Sequence, residues 1–247
     1  MLIKTDGLVI REQTTGEQDR LITVLTRSNG IIRAFSNGGR NPKNKNVSAT
    51  GLLCYSDFSI DKTGKGAYII REATAKEVFF SLREDIVKLS LAQYFAELAY
   101  ELSPREENSD EFLRLFLNSI YFISNQKRNV GIIKAATELR VLSLAGYMPS
   151  LVACENCGQY ESEKMFFSPG SGKIWCENCK PEERTLTVSS GIIAAMRHIC
   201  FSPAEKIYSF TLSKDGLMAL NAVCERYLKS VTARTYKTLD FYKMMTE

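Results

Sequence analysis

Two CENC tetrapeptides, Cys154–Cys157 and Cys176–Cys179, stand eighteen residues apart. No other feature restricts this chain as much. A two-residue gap lets both thiolates of a pair turn toward one ion, and zinc takes four such ligands in a tetrahedron. Cys154, Cys157, Cys176 and Cys179 are therefore expected to hold one structural zinc in a module at about 150–182. With four thiolates the coordination sphere is full and no position stays open for a reacting water. Gly158 supplies a tight turn after the first pair. Phe166, Phe167, Ile174 and Trp175 read as the module's hydrophobic support, which so few residues need.

The chain has 247 residues, enough for one large domain or two to three small ones. It has no apolar run long enough to span a membrane, and MLIKTDGLVIREQ is no signal peptide. The expected location is the cytoplasm, where thiols stay reduced. Cys54, Cys200 and Cys224 sit among apolar residues and read as small core side chains.

Net charge is only +4, but it is unevenly distributed. From Arg20 to Ser56 there are six basic residues (Arg20, Arg27, Arg33, Arg40, Lys43, Lys45) and no acid. Such asymmetry predicts an anion-binding face in the first domain.

Residues 1–80 carry five short β-rich runs, at 2–11, 20–26, 31–36, 50–60 and 67–73, separated by turn signals. That pattern predicts a small Greek-key barrel of the oligonucleotide-binding (OB) type. In RLITVLT, Leu21, Thr23 and Leu25 fall on one side and Ile22 and Val24 on the other. The connection SNGGRNPKNKNVSAT reads as a flexible basic loop able to close over a phosphate backbone. A solvated surface loop has the same composition; the missing acids favour nucleic acid.

Helical spacing marks 81–102, ended by Pro104, then 110–124, and 130–145, ended by Gly146. Two more helices are predicted at 191–200 and 217–231. The basic, aromatic tail ARTYKTLDFYKMM either packs on the helices or meets phosphate. The expected class is α+β, with an OB-fold domain over 1–80 and a helical domain over 81–247 that carries the zinc module. One histidine, His198, lies on a helix without a partner motif. No phosphate-binding P-loop, nucleophile elbow, H-E-x-x-H or deaminase H-x-E occurs, so no catalytic constellation is expected.

Three segments resemble one family. GLVIREQTTGEQDRLITVLTRSNGIIRAFSNGGR is similar to the N-terminal barrel of the RecO recombination-mediator family. ELRVLSLAGYMPSLVACENCG, from Glu138 to Gly158, resembles its helix-to-knuckle junction, and SGKIWCENC, from Ser171, its second cysteine pair. The resemblance implies a protein that binds single- and double-stranded DNA and anneals complementary strands. It also implies work with RecR, contact with the tail of single-strand-binding protein (SSB), and help in loading RecA at the nucleoid. It does not imply an enzyme. Arg20 and Arg40 match the family's basic motif, and Arg11, Arg27, Arg33, Lys43 and Lys45 are neighbouring candidates. After Arg40 this chain has Asn41 and Pro42, where relatives carry adjacent basic residues. Arg140 is the candidate for the SSB tail, with a surface or intra-bundle bond as its alternative role. A rival reading is a zinc-containing protein-interaction adaptor that binds no nucleic acid directly.

Overall fold

The computed structural model describes residues 1–41, 43–125 and 128–246. Pro42 lies outside them. The chain forms two compact units, Met1–Asn125 with Tyr236–Glu247, and Gln126–Thr235.

In the first unit, β1 (Leu2–Thr15), β2 (Asp19–Thr26), β3 (Ile31–Ser36), β4 (Tyr55–Lys62) and β5 (Tyr68–Glu77) form a closed barrel in the order β1-β2-β3-β5-β4. Neighbours are antiparallel except β3 and β5, which run parallel. This is an OB-type barrel, so the fold class is α+β as expected. The period-2 alternation of β2 sends Ile22 and Val24 inward, onto Val9, Ile32, Ala34, Phe58, Ile60 and Ile70. β4 starts at Tyr55, five residues later than the apolar pattern predicts. Residues 50–54 belong instead to the preceding loop, where Leu53 takes a left-handed φ of 63°.

The outward face of the barrel has its own cover. Leu8, Leu25 and Ile31 share one cross-strand row and are all buried. Helices α1 (Ile86–Leu102) and α2 (Asp110–Ser124) pack over β1 and β2 there. Asp85 caps α1 by accepting from the amides of Val87 and Lys88. The start of α2 is stitched to the end of β2, because the Ser109 amide donates to Arg27 O (2.9 Å) and its hydroxyl to Thr26 O (2.5 Å). The basic tail forms α6 (Lys237–Thr246), which packs back on α1. Leu239 is buried, Tyr236 meets Tyr94 edge-on at 5.8 Å, and Thr238 donates to Glu97.

In the second unit, α3 (Val130–Leu144) packs on α4 (Ser190–Phe201) and α5 (Lys214–Thr232). A three-stranded sheet, ordered β7-β6-β8, joins β7 (Lys173–Cys176), β6 (Lys164–Ser168) and β8 (Leu186–Ser189). Three ion pairs run from between the helices outward: Lys134 Nζ is 2.7 Å from Glu138 and 3.7 Å from Glu225, and Lys229 reaches Glu225 at 3.1 Å. Burial alone lowers the Lys134 pKa, but Glu138 and Glu225 outweigh it and hold the ammonium above its ordinary value. His198 has a fastening role: its Nε2 donates to Lys206 O at 2.7 Å and holds the turn after α4. Among the described residues, no helix is long and apolar enough to cross a membrane.

Candidate nucleic-acid interface and metal centre

The seven basic candidates of the first unit fall into two groups. Arg20 shares the inward side of β2 with Ile22 and is 7% exposed. Its guanidinium donates to Glu12 (2.8 Å), Thr50 Oγ1 (2.8 Å) and Val47 O (3.2 Å), plugging one end of the barrel. Arg27 lies between carboxylates, donating to Asp6 (2.6 Å), to Asp110 and to Tyr55 Oη (3.3 Å). Burial pushes the Asp6 pKa up, but hydrogen bonds from Arg27 and Tyr55 and the Arg27 charge prevail and hold it at about 2. The same contacts raise the Arg27 pKa. Both side chains thus have internal partners.

The second group points outward. Arg11, Arg33, Arg40 and Lys43 are exposed, and none has a carboxylate partner among the described residues. Arg11 stacks over Tyr100 at 5.4 Å. Arg40 Nη1 donates to a backbone carbonyl, Glu17 O, at 3.2 Å. Lys45 pairs with Glu72 at 2.9 Å, with both side chains largely exposed.

The described residues of the basic loop are tied to the barrel by hydrogen bonds. Gly38 N donates to Asp19 Oδ1 (2.7 Å) and Arg40 N to Gln18 O (3.0 Å), fixing its start to the β1–β2 turn. Asn44 Nδ2 donates to Asn37 O (2.8 Å), and Asn46 Oδ1 accepts from Ala73 N on β5 (3.1 Å). The second glycine is required by space: a Cβ on Gly39 would stand 2.8 Å from Ser36 O and 3.0 Å from Arg20 Nε. The asparagines that read as loop composition are thus the ties that shape it.

In the second unit, the chain turn at Cys154 and the end of β7 bring the four cysteines together. Their sulfurs all lie within 4.8 Å of one another, and Cys157 and Cys176 are 3.6 Å apart. A zinc–sulfur bond of ~2.3 Å places tetrahedral sulfurs ~3.8 Å apart, so the donor set fits one ion. The turn closes through Gly158 N to Cys154 O (2.9 Å), with Gly158 at φ 74°, and Glu155 N joins it to β7 through Ile174 O (2.9 Å). Asn156 Nδ2 donates to Cys179 Sγ at 3.4 Å, the kind of outer bond that steadies a metal thiolate. Burial raises the Cys154 pKa, but amides of Cys157, Cys176 and Asn156 bring it down to about 6. Cys157, beside three other sulfurs, is pushed up to about 12 despite a bond from the Gln159 amide. The expected aromatic support is a hairpin, in which Phe166 faces Trp175 and Phe167 faces Ile174.

One residue of this centre had no sequence signal. Arg197 of α4 is 8% exposed. It donates to Leu151 O (2.7 Å), Val152 O (3.0 Å) and Tyr160 O (2.7 Å), and stacks on Tyr160 at 3.9 Å. It therefore grips the chain on both sides of the first cysteine pair. Arg140 donates Nη1 to Cys200 O (2.6 Å) and Ile199 O (3.4 Å), satisfying carbonyls at the end of α4.

The chain thus joins an OB-type barrel, with exposed cations that have no carboxylate partner among the described residues, to a helical unit in which four cysteines converge. Family models described as Recombination protein O N terminal and Recombination protein O C terminal match residues 1–79 and 83–240. A relative named DNA repair protein RecO from Acetivibrio thermocellus is 34% identical, covering 98% of this chain and 97% of its own. Relatives of that name from Clostridium perfringens (28%, 100% and 99%) and Alkaliphilus metalliredigens (27%, 92% and 93%) are similar over nearly full length. The chain belongs to the RecO family of DNA repair proteins.

Proposed function

We propose that this chain is a recombination mediator that binds DNA through its barrel and the loop after β3. It anneals complementary strands and, with RecR, helps load RecA onto SSB-coated DNA from the cytoplasm. The observation that carries the binding step is the set of four outward cations without carboxylate partners among the described residues: Arg11, Arg33, Arg40 and Lys43. Arg20 and Arg27 shape the surface rather than touch phosphate. Lys45 can exchange Glu72 for phosphate, because exposed pairs contribute only about 0–1 kcal/mol. The metal is one zinc, and its role is structural. For the SSB tail, Arg140 serves through whatever donors it does not direct at α4.

Four phosphate contacts on a single strand give a salt slope of about −2.8, so a fourfold rise in salt weakens binding roughly fiftyfold. Fluorescence anisotropy with a labelled oligonucleotide across that salt range tests the binding step. A protein that binds neither single strands nor duplex at low salt is the adaptor of the rival reading. Annealing of complementary strands coated with SSB, with and without RecR, tests the mediator step.

A further inference from the structure

The four sulfurs of the cysteine centre are unequally sheltered. Cys154 and Cys176 are 3% and 1% exposed, Cys179 is half-buried, and Cys157 is exposed. The donors around them differ as well. Amides of Cys157, Cys176 and Asn156 point at the Cys154 sulfur, and the Asn156 side chain donates to Cys179 at 3.4 Å. Such bonds draw electron density from a thiolate and make it a poorer nucleophile. Cys157 takes an amide bond from Gln159, and its sulfur stands 3.6 Å from that of Cys176. The turn and the strand that carry these two are held together by the Glu155 amide on Ile174 O at 2.9 Å. The most accessible sulfur thus lies against one of the least accessible, on the other cysteine pair.

We infer that Cys157 is a site of oxidation by hydrogen peroxide, with Cys176 the thiol that closes it into a disulfide between the two pairs. The inference rests on the reading of this centre as a metal site and concerns what its own sulfurs do. The Cys157 sulfur attacks one peroxide oxygen, the O–O bond breaks, hydroxide leaves and a sulfenic acid remains. The Cys176 thiolate attacks that sulfur, the S–S bond forms and a second hydroxide leaves. One peroxide has then taken two electrons from two thiolates. Cys154 and Cys179 are left, two ligands where zinc takes four, so the metal is given up. Exposure sets the order: the oxidant meets Cys157, and Cys176 is reached only from within. A second peroxide, which carries a sulfenic acid on to the sulfinic, must compete with a thiolate already in contact. The oxidised centre stays closed between the first turn and β7, while the turn Glu177–Cys179 loses its anchor.

The test uses the full-length, zinc-loaded protein, freed of added thiols and titrated with hydrogen peroxide beside a chromogenic chelator. About one zinc and two thiols should be lost per peroxide consumed. Trypsin separates the pairs, since Cys154 and Cys157 fall in residues 141–164 and Cys176 and Cys179 in residues 174–184, where Pro181 protects Lys180. After alkylation of the denatured chain, mass spectrometry should find these two peptides joined through Cys157 and Cys176, with Cys154 and Cys179 alkylated. Dithiothreitol and zinc should restore the parent's metal content. Cys157→His keeps four ligands but removes the exposed sulfur, so zinc release at equal peroxide should slow by about tenfold or more. Where that variant binds no zinc, the peptide map of the parent decides alone. Disulfides confined to each peptide, zinc retained under excess peroxide, or release from Cys157→His as fast as from the parent overturns the inference and leaves the metal reading intact. A parent chain that holds no metal after growth with added zinc removes the metal reading itself, and the inference with it.

Discussion

Replacing Arg20 with Met separates a barrel plug from a phosphate contact. The guanidinium is 7% exposed and makes bonds of 2.8, 2.8 and 3.2 Å to Glu12, Thr50 and Val47. Removing one partner of a buried ion pair costs about 3–5 kcal/mol when the other charge stays buried. Here the Glu12 side chain is 33% exposed and can take up water, so the loss should be nearer 2–4 kcal/mol. Urea unfolding followed by far-ultraviolet circular dichroism measures it. DNA binding supplies the second readout. At a temperature where the variant is folded, its affinity should have the parent's salt slope, because Arg20 meets no phosphate. Arg40→Ala with Lys43→Ala should instead leave stability unchanged and lower the single-strand slope by about 1.4. A folded Arg20→Met protein whose slope falls as it does for Arg40 would refute the division between inward and outward cations.

Chelation of the metal should change the fluorescence of Trp175, the chain's one tryptophan, which adjoins Cys176, while DNA affinity changes little. Arg197→Met should speed zinc transfer to a chromogenic chelator by about 10- to 100-fold, since outer-shell supports have effects of that size. Lys134→Met removes the cation 2.7 Å from a Glu138 side chain with no exposure, so the second unit should lose about 3–5 kcal/mol, read by Trp175 in urea. Lys134→Met with Glu138→Leu should recover most of that loss. The Asp6 pKa is about 2 against an ordinary 3.8, so the folded form holds fewer protons between those values. Its stabilisation, about 1–2 kcal/mol after screening by solvent, is complete above about pH 4 and is lost as pH falls toward 2. Asp6→Asn should remove that part of the acid dependence, measured as unfolding free energy against pH.

Much of this architecture is legible locally. The cysteine spacing predicts the donor set, five β-rich runs predict the barrel, and Pro104 and Gly146 mark helix ends. What is not legible depends on distant partners. RLITVLT is apolar on both sides because helices cover part of the outer face, so alternation alone cannot say whether Arg20 points in or out. The bond between Ser109 and the end of β2, like the pair Arg27–Asp110, joins residues more than eighty positions apart, and no local pattern encodes it. α6 has a weak signal in the spacing of Tyr236, Leu239 and Tyr242, masked by the basic residues among them. Arg197 has none: the acceptors of its hydrogen bonds are backbone carbonyls, which every sequence supplies.

The same reasoning explains why a net charge of +4 is compatible with polyanion binding. Binding strength follows local, unpaired charge, not the total. Seven cations stand out in the sequence; two are engaged by carboxylates, Arg20 inside the barrel by Glu12 and Arg27 on its outer side by Asp6 and Asp110, and one is balanced across an exposed pair. The absence of acids from Arg20 to Ser56 does not keep that stretch free of acids in space, because β1, α2 and β5 bring them to it. What remains is four cations on the outward side of β1, β3 and the tethered loop. Those ties matter energetically: a loop already held by Asn44 and Asn46 loses less conformational freedom on meeting a phosphate than a free chain would, so more of each contact appears as affinity. Asn44→Ala with Asn46→Ala should therefore weaken DNA binding with no change in salt slope, whereas losing a cation changes both.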